Sequence, residues 1–222
     1  MPKEAGANRF VWNMHYPDPT KTEGYEGFEE ALEGPLAPPG TYQVQLKVGD
    51  QTSTAVFQIH KDPHIAATQE DLQAQFELLL AIRDKISEVH STINAIRDIR
   101  RQVEGWEHSS KGNDAHETVI TIGKQLKQKL AALEEELFQV KAKNQLDTMD
   151  FPIKLSAKLV ALSGVVASAD AAPTQQAQQV FEELSARVNE RLQQLHKLIA
   201  ADVAVFNKLI RDANLPAIIP AA

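Results

Sequence analysis

The sequence predicts an α+β fold: a small antiparallel β unit of about three strands, then an antiparallel bundle of three long helices and one short helix. Three observations carry that expectation. Most of the Gly, Pro and aromatic residues fall before Asp62-Pro63, and the sequence after it is rich in Ala, Leu, Gln, Glu and Lys. Such a break is expected where strands give way to helices. Stretches before the break alternate apolar and polar residues with the period of two of a strand. After it, apolar residues recur in sevens, in rows offset by three, the spacing of an a/d helical seam. The domain division follows: residues 1–66 form the β unit and residues 67–222 the bundle.

Within the β unit, Asn8 to Met14 reads as a strand, because Phe10, Trp12 and Met14 alternate with Val11 and Asn13. Tyr16-Pro17-Asp18-Pro19 ends it. Lys21 to Gly34 carries Glu23, Glu26, Glu29, Glu30 and Glu33 and reads as an exposed acidic loop. Gly34-Pro35-Leu36-Ala37-Pro38-Pro39-Gly40 is extended or turning, since each Pro fixes its own φ and restricts the residue before it. A hairpin follows. Tyr42, Val44, Leu46 and Val48 alternate on the outgoing strand, Gly49-Asp50 makes the turn, and Ala55, Phe57 and Ile59 alternate on the return. Three strands do not make a sandwich, so helices or strands from elsewhere must complete the sheet.

The longest element is a helix from Thr68 to Trp106. Leu72, Leu79, Ile86 and Ile93 form one row, and Ile82, Val89, Ile96 and Val103 the other. Thr68 and Asp71 have the spacing of a capping box. Glu107 to Ala115 reads as a polar loop. A second helix begins near Glu117, with Val119, Leu126, Leu133 and Val140 in one row and Leu130 and Leu137 in the other. Asp150-Phe151-Pro152 reads as the start of a short third helix carrying Leu155, Leu159, Leu162 and Val166. Thr174 opens the fourth. Its rows are Phe181, Val188, Leu195 and Leu209, and Leu184, Leu198 and Val205, with Leu192, Ile199 and Phe206 widening the stripe. Asn214 and Pro216 stop it, and Ile218 to Ala222 reads as a loose apolar tail. Short connections between long helices favour antiparallel neighbours.

The 222 residues carry a net charge of −7, which argues against a broad nucleic-acid footprint. The absence of cysteine excludes disulfides, thiol catalysis and cysteine-ligated zinc. Met1-Pro2-Lys3-Glu4 shows no signal peptide, and no run approaches the roughly 20 apolar residues of a membrane span. The compartment stays open.

The search for chemistry assigns no catalytic residue, no cofactor and no metal ligand. His60 and His64 flank a strand end, where that spacing does not bring two imidazoles together. His108, Asp114 and His116 share a loop and read as a fortuitous cluster. The acidic loop holds enough carboxylates for a glycosidase pair but shows no scaffold for one. Glu134-Glu135-Glu136, with Lys127, Lys129 and Lys141 nearby, reads as an ordinary charged helix face. Arg97-Asp98-Ile99-Arg100-Arg101 is too short and too mixed for a nucleic-acid patch. Two polar residues do fall on seam rows, Arg100 on that of Leu72 and Asp202 on that of Phe181. Each is placed to pair across helices or to sit at the rim. No nucleophile elbow, phosphate loop or dinucleotide fingerprint occurs.

Gly6-Ala7-Asn8-Arg9-Phe10-Val11-Trp12-Asn13-Met14-His15-Tyr16-Pro17, Gly34-Pro35-Leu36-Ala37-Pro38-Pro39-Gly40-Thr41-Tyr42-Gln43-Val44-Gln45-Leu46 and Asp62-Pro63 resemble the C-terminal region of large bacterial BNR-repeat or sortilin-type propeller glycosyl hydrolase family proteins. Ala74-Gln75-Phe76-Glu77-Leu78-Leu79-Leu80-Ala81-Ile82-Arg83-Asp84, Phe206-Asn207-Lys208-Leu209 and Leu215-Pro216-Ala217-Ile218 are similar to the helical segment that follows there. The resemblance implies that the β unit is a partial Ig-like module, lacking that module's upstream strands and the propellers. Relatives are often exported. One departure is Trp12-Asn13-Met14-His15, where the family pattern reads Trp-Asp-x-Arg.

The expected function is therefore a non-catalytic accessory or protein-interaction module. Its expected partners are a protein, among them a propeller protein, or a second copy joined through an open β edge, with no nucleic acid and no membrane span. The alternatives are a glycosyl hydrolase of the BNR or sialidase-like kind and an intracellular helical scaffold.

Overall fold

A computed structural model of the chain describes residues 6–24, 32–110, 117–142, 147 and 150–213. Strands β1 (Gly40–Val48) and β2 (Gln51–Ile59) form a hairpin. Helices α1 (Gln69–Ser110), α2 (Glu117–Leu137), α3 (Leu155–Val166) and α4 (Gln175–Leu198) follow. A π-helical segment, Ile199–Val203, joins α4 directly to α5 (Ala204–Asp212). The fold is α+β. The sheet has two strands rather than three among the described residues.

The missing strand has a local cause. Met14 takes a φ of 65°, in the left-handed region, which turns the chain just where the alternating pattern of Asn8 to Met14 would need to continue. Asn13 Oδ1 accepts from the His15 backbone N–H at 3.1 Å, a turn that competes with strand pairing. Only an isolated antiparallel bridge remains, His15 with Leu36. Phe10 and Val11 stay exposed.

The bundle has three columns. Helix α1, about 60 Å long at 1.5 Å per residue, is the first. Its start is capped reciprocally: Thr68 Oγ1 accepts from Asp71 N–H, and Asp71 Oδ2 accepts from Thr68 N–H. Helices α2 and α3 together make the second column. Both run antiparallel to α1: Glu107 of α1 meets Lys127 of α2 and Arg97 meets Glu134, while His90 meets Ser156 of α3 and Gln75 meets the Val166 carbonyl. So α2 covers the C-terminal half of α1 and α3 its N-terminal half, and these two sequential helices run in the same direction. The third column, α4 through α5, returns beside them, capped at its start by Thr174, whose Oγ1 accepts from Ala177 N–H. Helix α3 starts three residues beyond Pro152, with Lys154 as an N-cap lacking a side-chain bond. The Pro152 carbonyl instead accepts from Gln139 Nε2.

Both seam rows of α1 are buried along most of its length, with Ile82, Ile86, Val89, Ile93 and Ile96 fully enclosed. The core divides in two. One part packs the N-terminal half of α1 against α3 and the start of α4, and the other packs its C-terminal half against α2, the end of α4 and α5.

The π segment corrects the predicted rows of the fourth helix. It adds one residue to the turn, so the buried face beyond it shifts by one position. Val205 is 54% exposed whereas Phe206 is 2% exposed. Ile210, rather than Leu209, is the enclosed residue of the last turn.

Candidate interaction surface

The hairpin turn is two residues long. Gly49 has a φ of 59° and Asp50 does not share the positive φ, the pattern of a type II′ turn with Gly at its first central position. The register pairs Tyr42 with Phe57, Val44 with Ala55, Leu46 with Ser53 and Val48 with Gln51. Residues opposite one another share a face, so Tyr42, Val44, Leu46, Val48, Ala55 and Phe57 lie together. The other face is mostly Thr, Gln and Lys47. Trp12 folds onto the apolar face at its base, with ring centroids 5.8 Å from Tyr42 and 6.2 Å from Phe57. Its Nε1 donates to the His15 carbonyl at 2.9 Å. Tyr42 donates to the Pro38 carbonyl at 2.6 Å, and burial, with a smaller contribution from Tyr16, raises the pKa of its hydroxyl. Beyond this aromatic base the face is open: Val44, Leu46 and Val48 are 51%, 46% and 66% exposed.

The proline segment anchors that hairpin. Tyr16 N–H donates to the Pro35 carbonyl at 2.9 Å and Ala37 N–H to the Met14 carbonyl at 2.8 Å. His15 Nδ1 donates to the Gly34 carbonyl at 2.5 Å. Gly34 is required at this crossing, because a Cβ there would stand 2.0 Å from the Tyr16 carbonyl oxygen. Gly34→Ala is expected to cost about 1–3 kcal/mol, the range of overpacking. Trp12 fluorescence should report the loss in a denaturant titration, at lower concentration than the helical signal. Beneath the crossing is a cleft of about 770 Å³, floored by Leu72, Phe76, Leu79 and Val160.

A strap leads from the crossing along α1. Arg83, Ser87, His90, Asn94 and Arg97 recur every three or four residues and so share one helix face. Arg83 Nη1 donates to the Pro17 carbonyl at 2.9 Å, and Ser87 Oγ accepts from Thr20 N–H at 3.1 Å. His90 Nδ1 donates to the Thr20 carbonyl at 2.7 Å. Asn94 holds both the Lys21 carbonyl and the Glu23 N–H, each at 2.9 Å. Arg97 Nη1 donates to the Glu23 carbonyl at 2.7 Å. All of these bonds go to the strap's main chain.

The residues considered for chemistry are dispersed. His60 and His64 are exposed, and the His64 backbone bonds to Asp62 rather than to His60. His108 lies in the last turn of α1, not in a loop. Asp114 and His116 fall outside the described residues, as do Glu26, Glu29 and Glu30. Glu23 and Glu33 stand apart: Glu23 is 4.0 Å from Arg101 and Glu33 is 3.6 Å from His15. Among the described residues no three His, Asp or Glu side chains gather as a metal site, and no helix is long and apolar enough to cross a membrane.

The triple-Glu reading needs correction. Glu134 is 2% exposed and accepts from Arg97 Nε at 2.6 Å and from Arg100 Nη1 at 2.7 Å. Sequence reasoning passed it over because its neighbours Glu135 and Glu136 are ordinary surface acids. The available signal was spacing, since Leu130, Glu134 and Leu137 share one face. Two residues of the Arg97–Arg101 run thereby turn their guanidinium groups to a buried carboxylate. Asp202 pairs with Lys129 across helices at 2.7 Å.

No family model matches the chain, nor does any curated protein or solved structure.

Proposed function

We propose that the chain is a non-catalytic accessory module whose hairpin docks a partner protein. The single observation that carries this reading is the open apolar face of Val44, Leu46 and Val48, held away from the core on an aromatic base. A contiguous apolar patch of this kind is what a protein interface presents. The resemblance to the C-terminal region of propeller-type glycosyl hydrolase family proteins suggests the partner: a BNR-repeat propeller, with the β unit acting as a partial Ig-like module beside it. Calorimetric titration of the protein with such a propeller tests the idea. Saturable binding that Leu46→Glu abolishes supports it. Absence of binding, or turnover of glycosides by the purified protein, overturns it.

A second reading, a helical scaffold for a partner helix, also has an observation behind it. Ile153, Val165 and Val180 are 48%, 64% and 43% exposed and rim a groove between α3 and α4. An amphipathic helix in a hydrophobic groove is the mode it would use. Retention of partner binding in Leu46→Glu with loss in Val180→Glu would favour this reading.

A further inference from the structure

We infer that two copies of this chain join through the free edge of β2, antiparallel about a two-fold axis at Ala55, forming one four-stranded sheet. This rests on reading the hairpin as an interaction element, but it uses the edge of the sheet and leaves the apolar face free.

The turn fixes which backbone groups the edge offers. A two-residue turn closes on a hydrogen-bonded pair, here Val48 with Gln51. Hydrogen-bonded and non-hydrogen-bonded pairs then alternate along an antiparallel ladder. Gln51, Ser53, Ala55, Phe57 and Ile59 therefore direct their N–H and C=O at β1. Thr52, Thr54, Val56 and Gln58 direct theirs outward. Among the described residues no backbone group outside the hairpin bonds to them.

The two edges of the hairpin differ. Strand β1 carries Lys47 and is led in by Pro38-Pro39, features that discourage strand addition. Strand β2 has no charge, no Pro and no Gly across its nine residues. It is the unguarded edge.

That edge is also self-complementary. Pairing about Ala55 sets Thr54 against Val56 of the second copy and Thr52 against Gln58 of the second copy, so all the outward groups meet outward groups. Each hydrogen-bonded pair exchanges two bonds, giving about eight across the axis. The intervening pairs set Ala55 against its counterpart, Ser53 against Phe57 of the second copy and Gln51 against Ile59 of the second copy. The smallest side chain of the strand thus lies on the axis, and the aromatic ring faces a serine. Because β2 is uncharged, no like-charged side chains face one another across the strand pair. The apolar faces of the two hairpins fall on the same side and become continuous.

The chain contains no cysteine, so Ala55→Cys introduces its only thiol. A non-hydrogen-bonded pair holds its Cα atoms about 4.5 Å apart, within reach of a disulfide. Mild oxidation should convert most of the Ala55→Cys protein to a covalent dimer, and Thr52→Cys or Lys47→Cys should give little. Sedimentation of the unmodified chain should show a reversible dimer. Val56→Pro removes an outward N–H and leaves the bonds to β1 intact. It should weaken the dimer about tenfold or more, the scale of the hydrogen bonds lost on both sides of the axis. Val56→Lys, which places a charge on the edge, should do the same if the proline variant disturbs the hairpin. Gln45→Pro, the matching change on the β1 edge, should leave the dimer unchanged. A strict monomer that does not cross-link overturns the proposal. So does a dimer lost in Gln45→Pro but kept in Val56→Pro. Propeller binding, lost in Leu46→Glu, is read separately, so either idea can fail without the other.

Discussion

Glu134→Ala is expected to lower unfolding free energy by about 3 kcal/mol, the scale of breaking a buried ion pair by removing one partner. Glu135→Ala and Glu136→Ala, one and two positions further along α2, should each change it by less than about 0.5 kcal/mol. Urea titrations followed by circular dichroism measure all three. The contrast follows from position. Glu134 is enclosed between α1 and α2, with one oxygen on Arg97 and the other on Arg100. Its removal leaves two partly buried guanidinium groups with no other anion among their described contacts. Among the described residues Glu136 pairs with Arg191 alone, near the surface, where an ion pair contributes little. The damage should spread. Arg97 also lies over the Phe138 ring at 5.5 Å and donates to the Glu23 carbonyl. Freed from Glu134, it is expected to loosen the end of the strap as well. Equal losses in the three variants would mean that the Arg–Glu cluster does not hold α1 to α2.

Deleting one residue at two places in the third column should give opposite results. Deletion of Ala201 removes the extra residue of the π segment and lets the helix continue as α from Leu198 to Ala204. Phe206 and Ile210 then fall on the heptad rows of Leu184 and Val188 without a phase shift. Stability is expected to stay within about 1 kcal/mol, since the pair at risk, Lys129 with Asp202, is solvent-exposed. Deletion of Ala186 within regular α4 instead rotates Val188, Leu192 and Leu195 away from the core. Each buried aliphatic side chain lost costs about 2–5 kcal/mol, and three exceed the reserve of a typical domain. The Ala186 deletion should not fold. Thermal melts of the two proteins decide it, and a Ala201 deletion as damaging as that of Ala186 would show that the π turn itself is needed.

These two cases mark where the sequence was readable. The rows of α1 were plain because an uninterrupted apolar repeat over many turns has one physical solution, a helix with a buried seam. The hairpin was plain because Gly49-Asp50 lies between two alternating runs. Glu134 was hidden by its own neighbours: three consecutive acids look like a surface, and only the helical phase separates the first from the rest. The π segment left no composition signal, as Ile199-Ala200-Ala201-Asp202-Val203 suits an α-helix equally well. The strand expected at Asn8 to Met14 failed for another reason. Alternation shows that a segment could line a sheet, but not that its backbone turns aside at Asn13 and Met14. The strap was unreadable in principle, because its bonds join main-chain groups to side chains 66 to 74 positions away.

That last feature has a consequence for how the molecule can change over generations. The polar stripe of α1 grips main-chain carbonyls, which every residue supplies, Pro17 included, and amide N–H groups, which every residue but proline supplies. Specification is therefore lopsided. The helix must keep Arg83, Ser87, His90, Asn94 and Arg97 in phase, and the ribbon it holds is nearly free to drift. Buried Pro19 and Thr22, and Asp18, whose carboxylate accepts from the Gly34 N–H, are exceptions. The β unit thus stays fastened to the bundle by a clasp indifferent to most of the letters it closes on, which leaves those letters open to selection for other purposes.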